Sequence, residues 1–483
     1  MRQVLSSHIS RIICLFILPV LCFPIPDVAG QNGNQDSLIS KGPSVIINRI
    51  SVDGNHQTRS SIILRELLFH EHDTLLLRTF SEAIRSSRQN IFNTRLFNFV
   101  TIDTACEAGN FLHTDVMIHV VERWYIWPIP YFEISDRNIN SWLATMDFSR
   151  LTYGIDLTIS NVRGRNETLR FPVHFGFNRQ FGFDYTIPYI NRKKTIGFGV
   201  GVQLDQNHEL IVKSVNNKPV YYKDPTGFIQ QNIYSYLEMR FRPSIYSYHS
   251  VRLSYSAYSF SDSLLHIPNY AYHDKAYLNF FTIYYQMKAD HRDIAYYPLK
   301  GSYFDFLIEQ NGLWNSPVNE LYVKSNFRIY RQLYKRWYYA AGVTAKYTFT
   351  GASPYFLQEG LGYGREFVRG YEYYVIDGTH FALFKNNLKF ALTRPGVLDV
   401  GFLKSQKFNP IPYAFYLNLF ADLGYVYNGD EEQGRINDLQ NKLLIGGGIG
   451  IDFATYYDIV TRVEFSINRN GFPGVYLHFT API

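Results

Sequence analysis

The ten residues IVTRVEFSIN, from Ile459 to Asn468, alternate between apolar and polar side chains. In an extended strand one face would carry Ile459, Thr461, Val463, Phe465 and Ile467, and the other would carry Arg462, Glu464, Ser466 and Asn468. The inner face of a soluble sandwich also alternates with its outer face, but it rarely buries ionised side chains. A long strand with Arg and Glu on one face is typical of a membrane β-barrel, whose lumen is polar.

The same alternation recurs through most of the chain, for example in Leu169–Asn178 and Phe415–Tyr425. We count about sixteen such segments between Trp127 and Ile483, and bacterial barrels have even strand numbers. Aromatic residues make up 17% of the chain, with 39 Tyr and 38 Phe. The stretch Trp124–Pro130 adds aromatics suited to a membrane interface. The predicted fold class is an all-β transmembrane barrel of about 16 antiparallel strands.

Composition excludes two other classes of protein. The mean hydropathy is −0.16, and no apolar run approaches the ~20 residues that a membrane-spanning helix needs. The net charge of +6 is spread over 483 residues without a basic tract. The sequence therefore predicts neither a helical membrane bundle nor a nucleic-acid partner.

Residues 1–30 have the pattern of a secretory signal peptide. The apolar segment Ile12–Phe23 follows arginines and is too short to span a membrane, and small residues end at Gly30. A bulky leucine precedes Cys22, which argues against a lipoprotein site. Cleavage near Gly30 would leave Cys106 as the single cysteine, so we expect no intrachain disulfide.

Residues 44–123 have a different pattern from the rest of the chain. In order they contain the strand Val45–Gly54, a helix Thr58–Phe69 that Thr58 would cap, a helix from about Phe80 to Leu96, and the strands Phe97–Cys106 and Leu112–Arg123. This order predicts one small α+β domain before the barrel.

Three motifs follow one another in the predicted barrel. The first, in DHRDIAYYPLKG, is Asp290-His291-Arg292-Asp293 followed by Pro298 and Gly301, at a strand–turn–strand junction. The second is Val368-Arg369-Gly370-Tyr371, inside a long connection. The third is Phe420–Gly424, in which Asp422 lies on the polar face of a strand, with Gly424 two residues further on. Each motif alone occurs by chance, but their order after an α+β domain and inside a barrel is specific.

These motifs resemble those of the BamA/TamA family, whose members join POTRA domains to a bacterial surface antigen barrel. The resemblance implies a POTRA domain at 44–123, a barrel at 124–483, and a long loop around 350–380 that folds into the lumen. It also implies that Arg369 pairs with Asp422, while Gly370 lets the backbone bend beside the arginine. The expected role of Asp290 and Arg292 is to brace the lumen, with Pro298 and Gly301 setting a turn.

The last strand resembles a barrel targeting signal and also departs from the family. Gly474, Leu477 and Phe479 keep a glycine and alternate apolar positions, but the chain continues to residue 483 without a terminal aromatic. It has room for one POTRA domain, whereas the main insertase usually has several. Both differences argue against a role as the principal insertase.

The sequence predicts no enzyme, no cofactor and no metal site. The stretch His70-Glu71-His72-Asp73 contains metal-ligand residue types, but no distant third ligand accompanies it, so a solvated loop is the favoured interpretation. Cys106 is interpreted as a small inert residue. No nucleophile-elbow, zincin or phosphate-loop motif is present.

The leading hypothesis is an outer-membrane factor that inserts or translocates polypeptides. Unfolded outer-membrane or secreted polypeptides would be its clients, the outer membrane its lipid environment, and accessory lipoproteins possible partners. A client strand would pair with the edge strand Phe97–Cys106 or with a seam between the strands near Tyr131 and Tyr476.

Four alternatives remain open at this stage. The protein could be a passive pore or structural barrel, or it could be a dedicated secretion pore for one partner. The pair formed by Arg369 and Asp422 could be purely structural. The edge strand could be covered rather than available to a client.

Overall fold

A computed structural model of the protein describes residues 43–107, 110–134, 148–224, 226–267, 270, 275–349, 354–405, 407–429 and 436–479. The predicted signal peptide at 1–30 and the end of the chain beyond residue 479 lie outside these ranges. Within them, every helix is too short or too polar to cross a membrane.

The amino-terminal elements form a small α+β domain, which confirms the prediction. They are β1 (Ser44–Asp53), α1 (Ser60–Leu64), β2 (Thr74–Leu76), α2 (Leu77–Asn93), β3 (Phe97–Glu107) and β4 (Asn110–Glu122). The sheet has the order β2-β1-β4-β3. Strands β1 and β4 run parallel, and the outer pairs are antiparallel. Strand β3 is therefore an edge strand.

The first predicted helix is shorter than expected. Helix α1 covers Ser60–Leu64, and its N-cap residue is Arg59 rather than the predicted Thr58, with no side-chain cap hydrogen bond. The Thr58 hydroxyl lies 3.1 Å from the Tyr125 hydroxyl and accepts a 2.8 Å bond from Asn161, so it is already engaged. The apolar positions nevertheless behave as predicted, because Ile62 and Ile63 are buried in the domain core.

Two further boundaries differ from the prediction. Helix α2 begins at Leu77 and ends at Asn93, about one turn earlier at each end than the predicted helix. The three-residue strand β2 was not predicted, because Thr74–Leu76 is too short to show a period.

The remaining strands follow in chain order. The first half comprises β5 (Ile126–Ile134), β6 (Leu151–Val162), β7 (Glu167–Gly176), β8 (Arg179–Ile187), β9 (Ile196–Asn207), β10 (Glu209–Val215), β11 (Lys218–Lys223), β12 (Gln230–Phe241), β13 (Ser247–Phe260) and β14 (Tyr277–Asp290), with helix α3 (Asp262–Leu265) between the last two. The second half comprises β15 (Gly301–Asn311), β16 (Glu320–Tyr334), β17 (Trp337–Thr348), β18 (His380–Ala391), β19 (Gly396–Leu398), β20 (Ile411–Tyr427), β21 (Leu443–Ala454), β22 (Val460–Asn468) and β23 (Pro473–His478).

These strands close into one antiparallel barrel. Seventeen of them lie in the wall, and β10 and β11 pair separately as a hairpin. The three-residue β19 sits in the connection between β18 and β20, which also pair directly with each other. Without β19 the wall formed by the described residues has sixteen strands, as predicted. The ring is completed where β23 lies beside β5.

Burial along the strands follows the alternation in the sequence. In β22, Arg462, Glu464, Ser466 and Asn468 are buried, whereas Val463, Phe465 and Ile467 are exposed on the outer surface. In β20, Asp422 is fully buried while its neighbour Leu423 is 40% exposed. The polar face therefore lines the lumen and the apolar face is directed toward lipid.

The α+β domain docks on the turns at one end of the barrel through two partly buried ion pairs. Glu66 binds Arg242, which follows β12, with Nη1–Oε1 and Nη2–Oε2 distances of 2.6 and 2.8 Å. Arg123, which precedes β5, binds Asp458 in the turn before β22 at 3.1 and 3.2 Å. Two-point pairing of this kind fixes orientation as well as distance.

Further hydrogen bonds extend this docking around the barrel. Four donors of the domain each bind a backbone carbonyl of a barrel connection. The Arg59 amide donates to Gly164 (3.0 Å), Arg65 Nε to Lys194 (2.9 Å), Asn93 Nδ2 to Asp293 (3.1 Å) and Asn98 Nδ2 to Lys407 (2.8 Å). The domain thus contacts the connections after β6, β8, β12, β14, β18 and β21, which hold it across the barrel end.

Loops pack together at the opposite end. The hairpin of β10 and β11 contributes Val212 to an apolar cluster with Leu264 of α3 and with aromatic residues of the connection after β17. At the hairpin turn, the Asn217 carbonyl accepts a 2.9 Å bond from the Val375 amide. This end of the barrel is therefore covered by loops that bind one another.

Candidate functional site

The connection between β17 and β18 folds back against the inner wall of the barrel. Leu361 and Ile376 exchange backbone hydrogen bonds of 3.1 and 2.8 Å, which close the connection into a narrow loop. At its tip, Val368 and Tyr371 are buried. They pack against the wall residues Leu383 of β18, Val426 of β20 and Leu444 of β21. We refer to residues 361–376 as the plug loop.

Arg369 lies at the tip of the plug loop, and its side chain is fully buried. Its Nε donates to Asp422 Oδ2 at 2.7 Å, its Nη2 donates to Asp422 Oδ1, and its backbone amide donates to Oδ2 at 3.2 Å. Nη1 donates to Asn387 Oδ1 at 2.6 Å, and Nη2 also reaches the Asn386 carbonyl at 3.2 Å. The guanidinium carbon lies 3.9 Å from the centre of the Phe420 ring. The structure thus brings together the two residues that the resemblance paired.

The backbone at the tip turns sharply after the arginine. Gly370 has φ +94°, a conformation that L side chains rarely adopt. The Tyr371 amide donates to the Val368 carbonyl at 3.0 Å, which closes the turn. The Gly370 carbonyl accepts a 2.9 Å bond from Asn468 Nδ2 of β22. The tip is therefore held to β22 as well as to β20.

Two glycines in the wall make this close approach possible. A Cβ at Gly424 would lie 2.4 Å from Val368 Cγ2, and a Cβ at Gly446 would lie 1.8 Å from the Arg369 carbonyl oxygen. Contacts below 3.0 Å are far inside van der Waals separation. Any larger residue at Gly446 would push the backbone of the plug loop away from β21.

This arrangement can hold the plug loop in one conformation. Removing one partner of a buried ion pair leaves an uncompensated charge and costs about 3–5 kcal/mol. A fully hydrogen-bonded Arg–Asp pair therefore favours one position of the loop over nearby alternatives.

A second fully buried ion pair lies deeper in the lumen. Arg462 Nη2 donates to Asp452 Oδ2 at 2.7 Å, and Arg462 Nε donates to Asp452 Oδ1. The Tyr297 hydroxyl donates to the same Oδ2 at 2.7 Å. Tyr297 belongs to the turn that carries the first sequence motif, so this turn reaches into the lumen and bonds the wall.

The rest of the first motif stabilises that turn. Arg292 binds Asp290 with Nε–Oδ1 and Nη2–Oδ2 distances of 2.8 and 2.6 Å. The Asp293 carboxylate accepts the amides of Ile294 (2.8 Å) and Leu299 (3.1 Å), while burial raises the pKa of this carboxyl.

Two smaller residues complete the turn. Pro298 is buried, and Gly301 has φ +105° where a Cβ would meet the His291 carbonyl at 2.1 Å. Asp290 and Arg292 are thus paired with each other, and two groups of this turn contact the barrel wall: the Tyr297 hydroxyl, and the Arg292 guanidinium, which lies 4.5 Å from the centre of the Tyr303 ring of β15.

Comparisons with known proteins agree with this architecture. Residues 161–455 match the model of the Omp85 superfamily domain. That match covers more than half of the chain, including the plug loop and Asp422.

The chain belongs to the Omp85 superfamily.

Solved structures with similar folds share little sequence with this Omp85 protein. CdiB from Escherichia coli has a TM-score of 0.51 at 10% identity, covering 90% of this chain and 75% of that chain. BamA from Haemophilus ducreyi lacking POTRA domains 1-3 has a TM-score of 0.49 at 15% identity, covering 90% and 83%. No curated protein matches the chain. The family match identifies this Omp85 protein as an outer-membrane β-barrel.

The last strand of this Omp85 barrel carries the predicted apolar positions on its outer face. Leu477 is 56% exposed, and Phe479, just after β23, is 66% exposed. Gly474 lies under the ring of Tyr476, whose hydroxyl would be 2.4 Å from an added Cβ. An aromatic ring covering a glycine in this way shields the backbone of a terminal strand.

The hydrogen-bond pattern of β5 shows which of its groups face β23. The Ser160 amide donates to the Tyr125 carbonyl at 2.8 Å, and these two residues lie opposite each other in the β5–β6 register. Hydrogen-bonded and non-hydrogen-bonded residue pairs alternate along an antiparallel ladder. The backbone N–H and C=O groups of the odd-numbered residues of β5 therefore bond β6, and those of the even-numbered residues point toward β23. Pro128 and Pro130 occupy two of those even positions and have no N–H.

The same reasoning applies to β23. The Asn468 amide donates to the Phe472 carbonyl at 3.4 Å, so the backbone groups of Gly474 and Tyr476 bond β22. The backbone groups of the alternate residues point toward β5, and these residues are Pro473, Val475 and Leu477. Pro473 is thus a third proline on the seam, the boundary between β5 and β23. Prolines are normally confined to edge strands. Both strands that meet at the seam therefore resemble edges.

Sequence reasoning missed several residues of the site. Asn387 and Asn468 bind the tip of the plug loop, and Gly446 makes room for its backbone. The stretch Gly446-Gly447-Gly448 was a visible signal, since three glycines in a strand indicate close approach of another backbone. The stretch His70–Asp73 forms a turn in which the His70 amide donates to Asp73 Oδ2 at 2.7 Å.

Proposed function

We propose that this Omp85 protein inserts or translocates polypeptides at the outer membrane, and that a client strand pairs with the seam between β5 and β23. The observation that carries this proposal is the set of three prolines, Pro128, Pro130 and Pro473, on the two facing edges. Each one removes a donor from the ladder. A client strand that supplies its own donors could pair with the remaining carbonyls.

The energetics in lipid support a seam that opens for a client. Every backbone polar group within the hydrocarbon must be paired, so an open edge is costly there. A client strand relieves that cost for both partners and gains stability as it folds. The chain has no nucleotide-binding motif, and the proposal accordingly takes the folding of the client as the driving force.

The α+β domain would act as a POTRA domain in the periplasm. Its edge strand β3 could accept an extended client by β-augmentation, which tolerates many sequences. The beginning of β3 is held by the barrel, because Asn98 binds the Lys407 carbonyl. Downstream, Thr101, Asp103 and Thr104 are exposed. These residues would form the receiving surface, and accessory lipoproteins are possible partners there.

A passive pore is disfavoured by the covering of both barrel ends. The α+β domain spans the turns at one end through pairs such as Glu66–Arg242, and the β10–β11 hairpin joins the loops at the other. The plug loop lies between them. An insertase that works through its wall does not need an open lumen, whereas a diffusion pore does.

The plug loop would support the seam from inside. Its tip binds β20 through Asp422 and binds β22, the neighbour of β23, through Asn468. We propose that these bonds hold the last strands in position while β23 releases β5.

Locking the seam tests the proposal. In a Cys106→Ser background, Tyr131→Cys would be combined in turn with Gly474→Cys, Tyr476→Cys or Leu477→Cys to find a pair that oxidises. The matched control is Ile155→Cys with Val173→Cys, residues that lie opposite each other in β6 and β7. The readout is quantitative outer-membrane proteomics in cells that depend on each variant, with and without reductant.

We expect the seam disulfide, and not the control disulfide, to lower the levels of client proteins, with recovery on reduction. Full activity of the locked protein would refute the seam mechanism. Depletion of the wild-type protein then defines the client range. Broad loss of barrel proteins would indicate a general assembly factor, loss of one or a few a dedicated translocator, and no loss a structural barrel.

A further inference from the structure

Three side chains of metal-ligand type meet inside the barrel from three different elements. Glu372 comes from the plug loop, Glu464 from β22 and His478 from β23. One ligand atom of each lies within 4.8 Å of the other two. The Nε2 of His478 is 3.2 Å from Glu464 Oε1. This cluster was not predicted, because Glu372 is distant in the chain from the other two residues and none of the three lies in a metal-binding motif.

Two carboxylate oxygens in the cluster are buried without a hydrogen-bond partner. The Glu464 side chain is 0% exposed, and its Oε2 is unpartnered. Oε1 of Glu372 is also buried and unpartnered. The Arg462 guanidinium also faces Glu464, with Nη1 3.9 Å from Oε2, beyond hydrogen-bond distance, while its Nε and Nη2 are bound to Asp452. A buried carboxylate oxygen without a hydrogen bond is costly, so the two oxygens together point to a ligand.

We propose that Glu372, Glu464 and His478 bind one divalent transition-metal ion, with zinc as the reference case. One imidazole nitrogen and two carboxylate oxygens suit such an ion, and the two carboxylates neutralise its charge. With metal–ligand bonds of 2.0–2.2 Å, tetrahedral ligand atoms lie about 3.3 Å apart. The observed 3.2 Å between His478 Nε2 and Glu464 Oε1 fits that spacing, and the Glu372 oxygen has to approach from at most 4.8 Å to that distance.

The surroundings already orient two of the ligands. The Gly370 amide donates to Glu372 Oε2 at 2.8 Å, which leaves Oε1 of that carboxylate for the ion. The His478 ring stacks on Phe367 of the plug loop, with centroids 5.7 Å apart and an interplanar angle of 20°. Ligands whose orientation is fixed by neighbours bind metals more tightly than free ones.

The site would join the plug loop directly to the last strand of the barrel. His478 is on β23 and Glu372 follows Arg369 closely at the loop tip. A metal ion bound there would tie the inner surface of the seam to the plug loop. This consequence rests on the proposed function, whereas metal binding itself does not.

The test uses the purified full chain in detergent, stripped of metal with a chelator. Zinc binding would be measured by competition with a chromogenic chelator, and ligand type by the visible absorption of bound cobalt(II). The variants are Glu464→Gln, His478→Gln and Glu372→Gln. The control is His70→Gln with His72→Gln, in the exposed turn of the α+β domain. Migration of the unheated protein on a gel confirms that each barrel is folded.

We expect one zinc equivalent per chain and at least tenfold weaker binding in each ligand variant, with no change in the control. Glu372→Gln lies in a loop, so it keeps the result interpretable if a wall variant does not fold. Absence of zinc binding by the wild-type protein, equal affinity in the Glu372→Gln variant, or loss of binding in the control would overturn the site. A failed client assay with intact zinc binding would reject the proposed function and leave the site standing.

Discussion

Removing either member of the Arg369–Asp422 pair should lower the stability of the docked plug loop by a free energy that can be worked out from the structure. Arg369→Ala leaves the Asp422 carboxylate buried without its cation, and such a change costs about 3–5 kcal/mol. Asp422→Ala leaves the guanidinium unpaired at similar cost. The double variant removes both charges, so we expect it to be about as stable as either single variant and far from the sum of the two.

The size of the thermal effect follows from the length of the chain. Unfolding entropies near 2 cal/mol/K per residue over about 440 residues give a fall of about 3–5 °C in the unfolding midpoint. The midpoint would be measured from the gel migration of protein heated in detergent. Limited trypsin digestion supplies a second readout, because cleavage after the exposed Arg365 should accelerate when the plug loop is released. Arg170→Ala, which removes an exposed lumen-facing arginine of β7, is the matched control. Additive losses in the double variant would show that the two charges do not act as a pair.

Two other substitutions test the packing of the plug loop and the docking of the α+β domain. Gly446→Ala places a methyl group 1.8 Å from a backbone carbonyl oxygen, so we expect about 1–3 kcal/mol of destabilisation, visible as a lower unfolding midpoint on heating. The control Gly227→Ala, which has nothing within 4 Å of the added methyl group, should leave the midpoint unchanged. Equal effects of the two substitutions would contradict the close approach of the plug loop to β21. Glu66→Gln leaves the Arg242 guanidinium without its carboxylate, so the rate of hydrogen exchange at the turn after β12 should rise at least tenfold. The control Glu82→Gln, which breaks an exposed ion pair, should change that rate little. An unchanged exchange rate in Glu66→Gln would mean that the domain is held by other contacts.

The barrel could be predicted well because its signal is repeated in every strand. In β22, the alternation of Arg462 and Glu464 with Val463 and Phe465 already separates lumen from lipid. The predicted start of helix α1 was wrong because the Thr58 hydroxyl binds Tyr125 and Asn161, partners that lie beyond any local pattern.

The site was predicted only in part. The contact between Arg369 and Asp422 was expected from the family resemblance and not from spacing, since 53 residues separate them. Other residues that contact the plug loop were missed because they too are distant from it in the sequence. Gly446 and Asn468 are recognisable as parts of the site only after the strands are placed in register.

The bonds that hold the plug loop have a consequence for the order in which the protein assembles. Arg369 is made before its partner Asp422, and Gly370 precedes its partner Asn468 by 98 residues. Arg123 precedes Asp458 by 335 residues, so the ion pair just before β5, the first strand of the barrel, depends on the turn before β22 near the end of the chain. Contacts this distant in sequence form slowly, because the intervening chain must first be ordered. The plug loop can therefore dock only after the final hairpins are in place, which makes its docking a late checkpoint that reports a completed barrel.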